Sequence, residues 1–395
     1  MPRMEYKKTH PWLTFSLPPN IIDGLAFHFG EAASKTDHLR NTPLLPSLRK
    51  ELNLIYLTKG IKATTAIEGN TLDEQLIEDI IEKKRHAPES QNYLEQEVKN
   101  ILEACNGILM ELETHKELPP LTTEKILEFN SIVLKDLPEK EDVIPGTIRT
   151  HSVIVGRVYR GAPARECPAL LNRLVDWLNS SEFQATHKDY NIPFGIIQAV
   201  VAHIYLAWIH PFGDGNGRTA RLVELYFMLK AGIPAPSAHL LSDHYNKTRE
   251  AYYEQLNRLS KDHQNHYPLQ PFLSYALRGY LDGIREQILL IQNSQYDIMW
   301  NQFTYEIFDS QPHTSANKRQ RALALYINTW TSPQKITLDT LPPALFLYYR
   351  GKTQKCLQRD INKLISLGLI HRETASTIES NKNKILTLCP AAAKI

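Results

Sequence analysis

The chain has 395 residues, 42% of them hydrophobic and 22% charged, and 45 Lys+Arg against 43 Asp+Glu leave a net charge of +2. Such a composition suits a globular protein of two or three domains, and no apolar run approaches the length needed to cross a membrane. The four cysteines, Cys105, Cys167, Cys356 and Cys389, lack C-x-x-C or C-H spacing, which points to neither a disulfide framework nor a zinc site and leaves them as packing residues. The opening MPRMEYKKTHPWLTF has no continuous apolar core of a secretory signal, so a cytoplasmic protein with no membrane segment is expected.

In chain order, most of the first 300 residues read as helix. The stretch ATTAIEGNTLDE (63–74) places Thr64 and Glu68 one helical turn apart. Gly69-Asn70 then ends that helix, and Thr71 with Glu74 forms a capping box for the next. A second helix carries Leu94, Val98, Ile101, Leu102, Cys105 and Leu109 at spacings of three and four. Pro119-Pro120 marks a candidate boundary. SVIVGRVYRG (152–161) is a β-branched stretch around Gly156 and predicts a short hairpin or flap, followed by a helix from about Pro168. AVVAHIYLAWIH (199–210) predicts a buried helix that stops where Pro211 follows His210, and RTARLVELYFMLK predicts another opened by Arg218. His263 and His266 read as loop histidines, because no third metal ligand is in sight.

Residues 311–395 hold 13 Lys+Arg against 4 Asp+Glu, while 32 against 39 precede them, so a basic tail of +9 follows a body of −7. The tail predicts two short helices and a strand pair. One helix is capped by Thr353, buries Leu357, Ile361, Leu364 and Ile365, and ends at Gly368. Leu369-Ile370 and Ile385–Leu388 would form two wing strands, the pattern of a winged helix-turn-helix. The exposed face would show Gln354, Lys355, Gln358, Arg359, Asn362 and Lys363, suited to DNA, although such modules also bind proteins. The tripeptide GKT at Gly351 is no P-loop, since Phe346 stands where the upstream glycine belongs. The expected fold is mainly α: an N-terminal helical region (1–112), a helical core with a small β-hairpin flap (113–285) and the winged-helix domain (286–395).

The densest chemistry is HPFGDGNGRTAR, His210 to Arg221. Gly213, Gly215 and Gly217 bare the backbone to a ligand, and the following helix directs unpaired N–H groups at the same loop, as an anion site requires. Arg218 and Arg221, at i and i+3, can grip neighbouring phosphates. Asp214 would repel that anion unless a divalent cation, most simply Mg²⁺, bridged them, and His210 is the side chain that can take a proton near neutral pH. This inventory predicts transfer from a nucleoside triphosphate to a hydroxyl.

The stretch matches H-P-F-x-x-G-N-G-R-x-x-R, and residues 119–283 resemble Fic-domain proteins of the Fic/Doc family. The resemblance implies a helical core that transfers AMP from ATP to a Tyr, Ser or Thr hydroxyl of a protein, with self-modification. It implies His210 as base, Asp214 as Mg²⁺ ligand, Asn216 with the amides of Gly215 and Gly217 as phosphate cradle, and Arg218 and Arg221 as clamps. It counts Val155 and Gly156 of the flap, which would align a protein substrate, and Tyr252 and Tyr253 beside the base; Ser260 stands where some members place an asparagine. The segment Thr64–Glu68–Gly69 is similar to the family's inhibitory helix, which implies that Glu68 pairs with Arg221 and occupies the ATP site. Removal of AMP as well as its transfer, a homodimer, and a DNA-binding regulator with a nucleotide-sensing Fic domain are readings that stay open.

Overall fold

The structure, a computed structural model, describes residues 5–19, 21–155, 159–261 and 269–386. The chain divides into two compact units, Met1–Gln287 and Ile288–Ile395.

The first unit begins with the short α1 (Tyr6–Thr9), followed by α2 (Ala26–Asn41), α3 (Pro46–Ala66), α4 (Glu74–Ile81), α5 (Asn92–His115) and α6 (Thr123–Val133). A two-residue hairpin, β1 (Ile154–Val155) and β2 (Tyr159–Arg160), pairs antiparallel with Val155 opposite Tyr159. Then come α7 (Cys167–Leu178), α8 (Asn191–Ile209), α9 (Asn216–Lys230), α10 (Ala235–Ala238), α11 (Leu240–Lys247), α12 (Arg249–Lys261) and α13 (Leu269–Asp309), whose residues to Gln287 belong to this unit. The centre is α8. Its apolar residues run all around the helix, and Ile196, Val200, His203, Ile204 and Tyr205 are buried on every side, which fits a helix surrounded by others. It packs along α9, with α7 and α2 on its other faces.

This corrects the expectation about apolar length. The segment Lys188–Ile209 is long and apolar enough to cross a membrane by length and composition, but 83% of its apolar stretch is buried inside the fold, as in a core helix. Cys105 and Cys167 are buried and Cys356 partly so, while Cys389, His263 and His266 lie outside the described residues.

In the second unit, α14 (Ser315–Ile327), α15 (Pro343–Tyr349) and α16 (Gln354–Ser366) surround a core of Trp300, Leu323, Leu345, Leu357 and Leu364. Asp360 of α16 is buried among donors from the other two helices: Arg319 Nε at 2.6 Å, Gln320 Nε2 at 2.7 Å and the Tyr349 hydroxyl at 3.0 Å. A buried carboxylate satisfied in this way fixes the register of three helices. Thr353 holds the N-cap position of α16 without a side-chain cap bond. β3 (Ile370–Arg372) pairs with β4 (Ile378–Ser380), so the second strand is not at 385–388: Ile385 lies in the short α17 (Asn383–Leu386), and residues 387 and 388 fall outside those described. Ile378 takes the strand position because it is buried and also exchanges backbone hydrogen bonds with Gln334.

Candidate active site

α8 ends at Ile209, His210 in its C-cap position is left-handed (φ 51°), and the chain reverses through Pro211–Gly215 into α9. α9 starts at Asn216, two residues before the expected Arg218, behind Gly215 at φ 74°. Of the three loop glycines, Gly215 is the one held at positive φ. Gly217 is helical, and its requirement is space: a methyl group built there overlaps the Glu68 carboxylate. Asn216 does not aim its amide outward. Its Oδ1 accepts the Phe212 N–H and its Nδ2 donates to the Phe212 carbonyl, both at 2.9 Å, which closes the loop on itself.

Two residues outside the motif brace this turn. Arg149 is buried and donates to carbonyls at the end of α8: Nε to His210 at 2.7 Å and Nη2 to Ile209 at 3.4 Å, while Nη1 meets His151 at 2.6 Å. A cation suits a helix C-terminus, where unpaired carbonyls concentrate negative partial charge. Asn130, also buried, donates to the Asp214 carbonyl at 3.0 Å and accepts the Gly146 N–H. His210 is partly buried. Its Nδ1 lies 3.3 Å from the Ala207 carbonyl, an acceptor, so Nδ1 carries the proton and Nε2 keeps the lone pair. Burial pulls its pKa down to about 4, helped by the Arg149 charge.

Asp214 accepts the Gly215 N–H at 2.7 Å and the Lys140 ammonium at 2.6 Å. Burial would raise its pKa, but these donors and Arg218 outweigh it and keep the carboxyl below its ordinary range. Lys140 is a cation that the sequence pattern did not single out. Arg218 donates from Nη1 to Glu97 of α5 at 2.9 Å. Arg221, almost wholly buried, donates from Nη2 to Glu68 Oε1 at 2.6 Å and to the Thr64 carbonyl at 3.0 Å. The expected pairing of Glu68 with Arg221 is therefore present across 153 positions. Burial opposes ionisation of Glu68, and the Arg221 charge overcomes it, so its pKa is lowered. Thr64 contributes its carbonyl.

The local structure around Glu68 departs from expectation. α3 ends at Ala66, and Glu68 sits in the following turn with Gly69 at φ 107°. The next helix is capped by Asp73, whose side chain accepts the Leu76 N–H at 2.8 Å, rather than by Thr71. The turn is held from the far side by Arg249 and Tyr253, which both donate to the Ile67 carbonyl, at 2.6 and 3.2 Å.

Glu68 stands between two cavities. One, about 460 Å³, is lined by Gly69, Glu97, Lys140, Asp214 and Arg218 beside it. The other, about 380 Å³, is lined by Val155, His210, Gly217, Tyr252 and Tyr253. Tyr252 is buried, stacks on Tyr245 and shares a 2.9 Å hydrogen bond with His203, whereas Tyr253 is partly exposed. Gly156 lies outside the described residues. Nε and Nη1 of Arg221 and Nε of Arg218 are buried donors with no partner among the described residues, as an anion-binding fork would leave them.

Residues 120–228 match the Fic/DOC family. The chain is 32% identical over 246 residues to the protein adenylyltransferase Fic of Nematostella vectensis, covering 62% of this chain and 52% of that one. It is 29% identical over 265 residues to the protein adenylyltransferase fic-1 of Caenorhabditis briggsae, covering 66% and 46%. The chain thus spans about half the length of the curated relatives it matches. In fold it resembles a Fic family protein from Desulfovibrio desulfuricans G20 (TM-score 0.55, 20% identity, 92% of this chain and 98% of that one). It also resembles residues 134–508 of Fic-1 from C. elegans (TM-score 0.53, 26% identity, 69% and 74%). With the histidine loop, its bracing residues and the matched family segment coinciding, this chain carries a Fic/DOC family domain at residues 120–228.

Proposed function

We propose that the protein is an adenylyltransferase that moves AMP from ATP to a Tyr, Ser or Thr hydroxyl of a protein and is restrained by Glu68. The observation that carries this reading is the Glu68–Arg221 pair, which sets a carboxylate against a buried arginine of the histidine loop, beside His210. The base and sugar occupy the cavity of Tyr252 and Tyr253, and the β- and γ-phosphates that of Arg218. The target hydroxyl oxygen attacks the α-phosphorus, its proton passes to His210 Nε2, and the bond to the β-bridging oxygen breaks to release pyrophosphate. Asp214 fits a Mg²⁺ ligand, because its carboxylate is a hard oxygen donor held ionised and already faces a cation, Lys140. When bound, Mg²⁺ would neutralise phosphate charge. His10 reaches the Arg160 carbonyl on the outer side of β2 at 2.9 Å, which leaves the β1 edge, with Ile154 exposed, for strand addition by a target segment.

Incubation of the full chain with ATP labelled on the α-phosphate tests the reading. Label on the protein itself or on added protein that survives denaturation, and that falls when unlabelled ATP is present from the start, supports it; no label with any protein acceptor rejects it. Chasing labelled protein with fresh enzyme shows whether AMP is also removed. Because burial holds the His210 pKa near 4, kcat/KM should keep its value as pH falls through 6.5 and drop only near 4. An acid limb at 6.5 would place the ring in solvent in the working enzyme. Asp214→Asn is expected to raise the Mg²⁺ concentration needed for half-maximal transfer by about tenfold, with folding retained. An unchanged Mg²⁺ titration removes Asp214 as ligand.

A second reading rests on the other unit. We infer that it is a winged helix that contacts DNA, since Gln354, Lys355, Gln358, Arg359, Asn362 and Lys363 are all exposed on α16. A gel shift at two salt concentrations tests it, because phosphate contacts make affinity fall steeply with salt; salt-independent binding or none rejects it.

A further inference from the structure

The partner of Arg218 was not legible in the motif. Its Nη1 meets Glu97 Oε1 at 2.9 Å, while Asp214 lies 3.9 Å from Nη2. The other oxygen of Glu97, Oε2, accepts Asn70 Nδ2 at 2.9 Å. Asn70 directly follows the turn that carries Glu68 and is buried. The same amide also donates to the Leu94 carbonyl, and its Oδ1 takes the Leu72 N–H. One carboxylate thus bridges the Glu68 turn and the first arginine of the loop.

We propose that Glu97 is a second restraining carboxylate, which holds Arg218 from a bound polyphosphate and, through Asn70, shares one release step with Glu68. The proposal rests on the adenylyl-transfer reading above. Both arginines of the loop are matched at rest by a carboxylate from another element, Arg221 by Glu68 and Arg218 by Glu97. Glu97 also lines the cavity of Asp214 and Arg218, so phosphate charge entering there meets a like charge as well as a guanidinium already engaged. While Asn70 is seated, Glu97 is held between two donors and cannot swing off Arg218. When the turn leaves with Glu68, Glu97 loses the Asn70 donor and needs only to break its bond to Arg218. Arg249 and Tyr253 anchor the same turn through the Ile67 carbonyl, while Asn70 carries the hydrogen-bonded link from the turn through Glu97 to Arg218, beside the direct attraction between the Glu68 and Arg218 charges. Coupling of this kind is reciprocal: occupancy of Arg218 by phosphate loosens the turn as much as loss of the turn frees Arg218.

The test uses the full chain, with ATP and Mg²⁺ binding read by calorimetry and self-modification read as kcat and KM. Glu97→Gln removes the charge and offers one acceptor where two donors now converge. It is expected to tighten ATP by about tenfold and lower KM accordingly in the otherwise unchanged chain, but by only about threefold in a Glu68→Gly background, where the turn is already loosened and the bond to Arg218 is what remains to break. Asn70→Ser, which leaves the Glu97–Arg218 bond in place, should shift affinity in the same direction, and combined with Glu97→Gln should add nothing. Weaker ATP binding by Glu97→Gln in both backgrounds would assign Glu97 to orienting Arg218 and overturn the proposal, as would equal gains in both. Should Glu97→Gln fail to fold, an unchanged affinity in Asn70→Ser overturns it equally. If Glu68→Gly transfers no AMP while the ATP affinities follow the expected pattern, the reaction assignment fails and the second restraint stands.

Discussion

Glu68→Gly is expected to raise AMP transfer, self-modification included, by about one to two orders of magnitude, since each tenfold corresponds to about 1.4 kcal/mol and freeing a partly desolvated charge pair is worth a few. The carboxylate engages Arg221 Nη2 directly and fills the space over Gly217, so a triphosphate must displace it before its γ-phosphate can reach that guanidinium. On the proposed reading, ATP that binds without this displacement would leave its α-phosphate out of line with the attacking oxygen. The variant leaves Arg221 buried and uncompensated, so its melting temperature should fall without nucleotide and recover with ATP and Mg²⁺. Arg221→Ala behaves differently: it also breaks the pair but removes the clamp, and the double variant should be as inactive as Arg221→Ala alone. A folded Glu68→Gly protein that transfers no faster than wild type at every ATP concentration removes the restraint from this account.

The site was legible where chemistry is packed into consecutive residues. His210 to Arg221 announces a helix end, a glycine-bared turn and a second helix carrying both arginines; the first helix stops before His210, Gly215 alone of the three glycines takes positive φ, and the second helix starts two residues early. Glu68 could be found only through a resemblance, because nothing local ties it to Arg221. The residues that hold the site, Arg149, Asn130, Glu97, Lys140 and Arg249, gave no signal. Each is a single polar residue in an ordinary helix or loop, and its partner is fixed by packing of elements far apart in sequence. Polar side chains of this kind, buried like Arg149 and Asn130 or exposed like Lys140 and Arg249, are selected by the partners that tertiary structure supplies, and period and propensity carry no trace of them.

Two misplacements have local causes. Thr71 and Asp73 both head plausible capping patterns. Asp73 prevails because Asn70 Oδ1 accepts the Leu72 N–H and Leu72 is buried, which keeps residues 70–72 out of the helix. The wing strand expected at ILTL has higher β-propensity than Ile378–Ser380, yet pairing with Ile370–Arg372 and burial of Ile378 decide the matter, as is common where propensity spans only about 1 kcal/mol. Asn216 marks the limit of reading roles from a motif: its amide closes the loop on Phe212, so what it is seen to do is shape the backbone.

His210→Ala is expected to cost about 10²- to 10⁴-fold in transfer while ATP affinity changes little, the usual range for losing a positioned base. The prediction follows from what the ring does and does not hold up. The ring hydrogen-bonds from Nδ1 to Ala207 within its own helix end, and the loop is braced instead by Arg149, Asn130 and Asn216. Alanine can adopt φ near 51° only at some cost, so a modest loss of stability is expected alongside, of about 1 kcal/mol. Asparagine, which tolerates that conformation better but is no base, separates the two effects. His210→Asn should regain the stability and none of the transfer. Combined with Glu68→Gly, His210→Ala should remain inactive, because release of the arginines cannot supply a proton acceptor. If His210→Ala labels protein at the wild-type rate, or if His210→Asn recovers transfer along with stability, the base lies elsewhere in the loop.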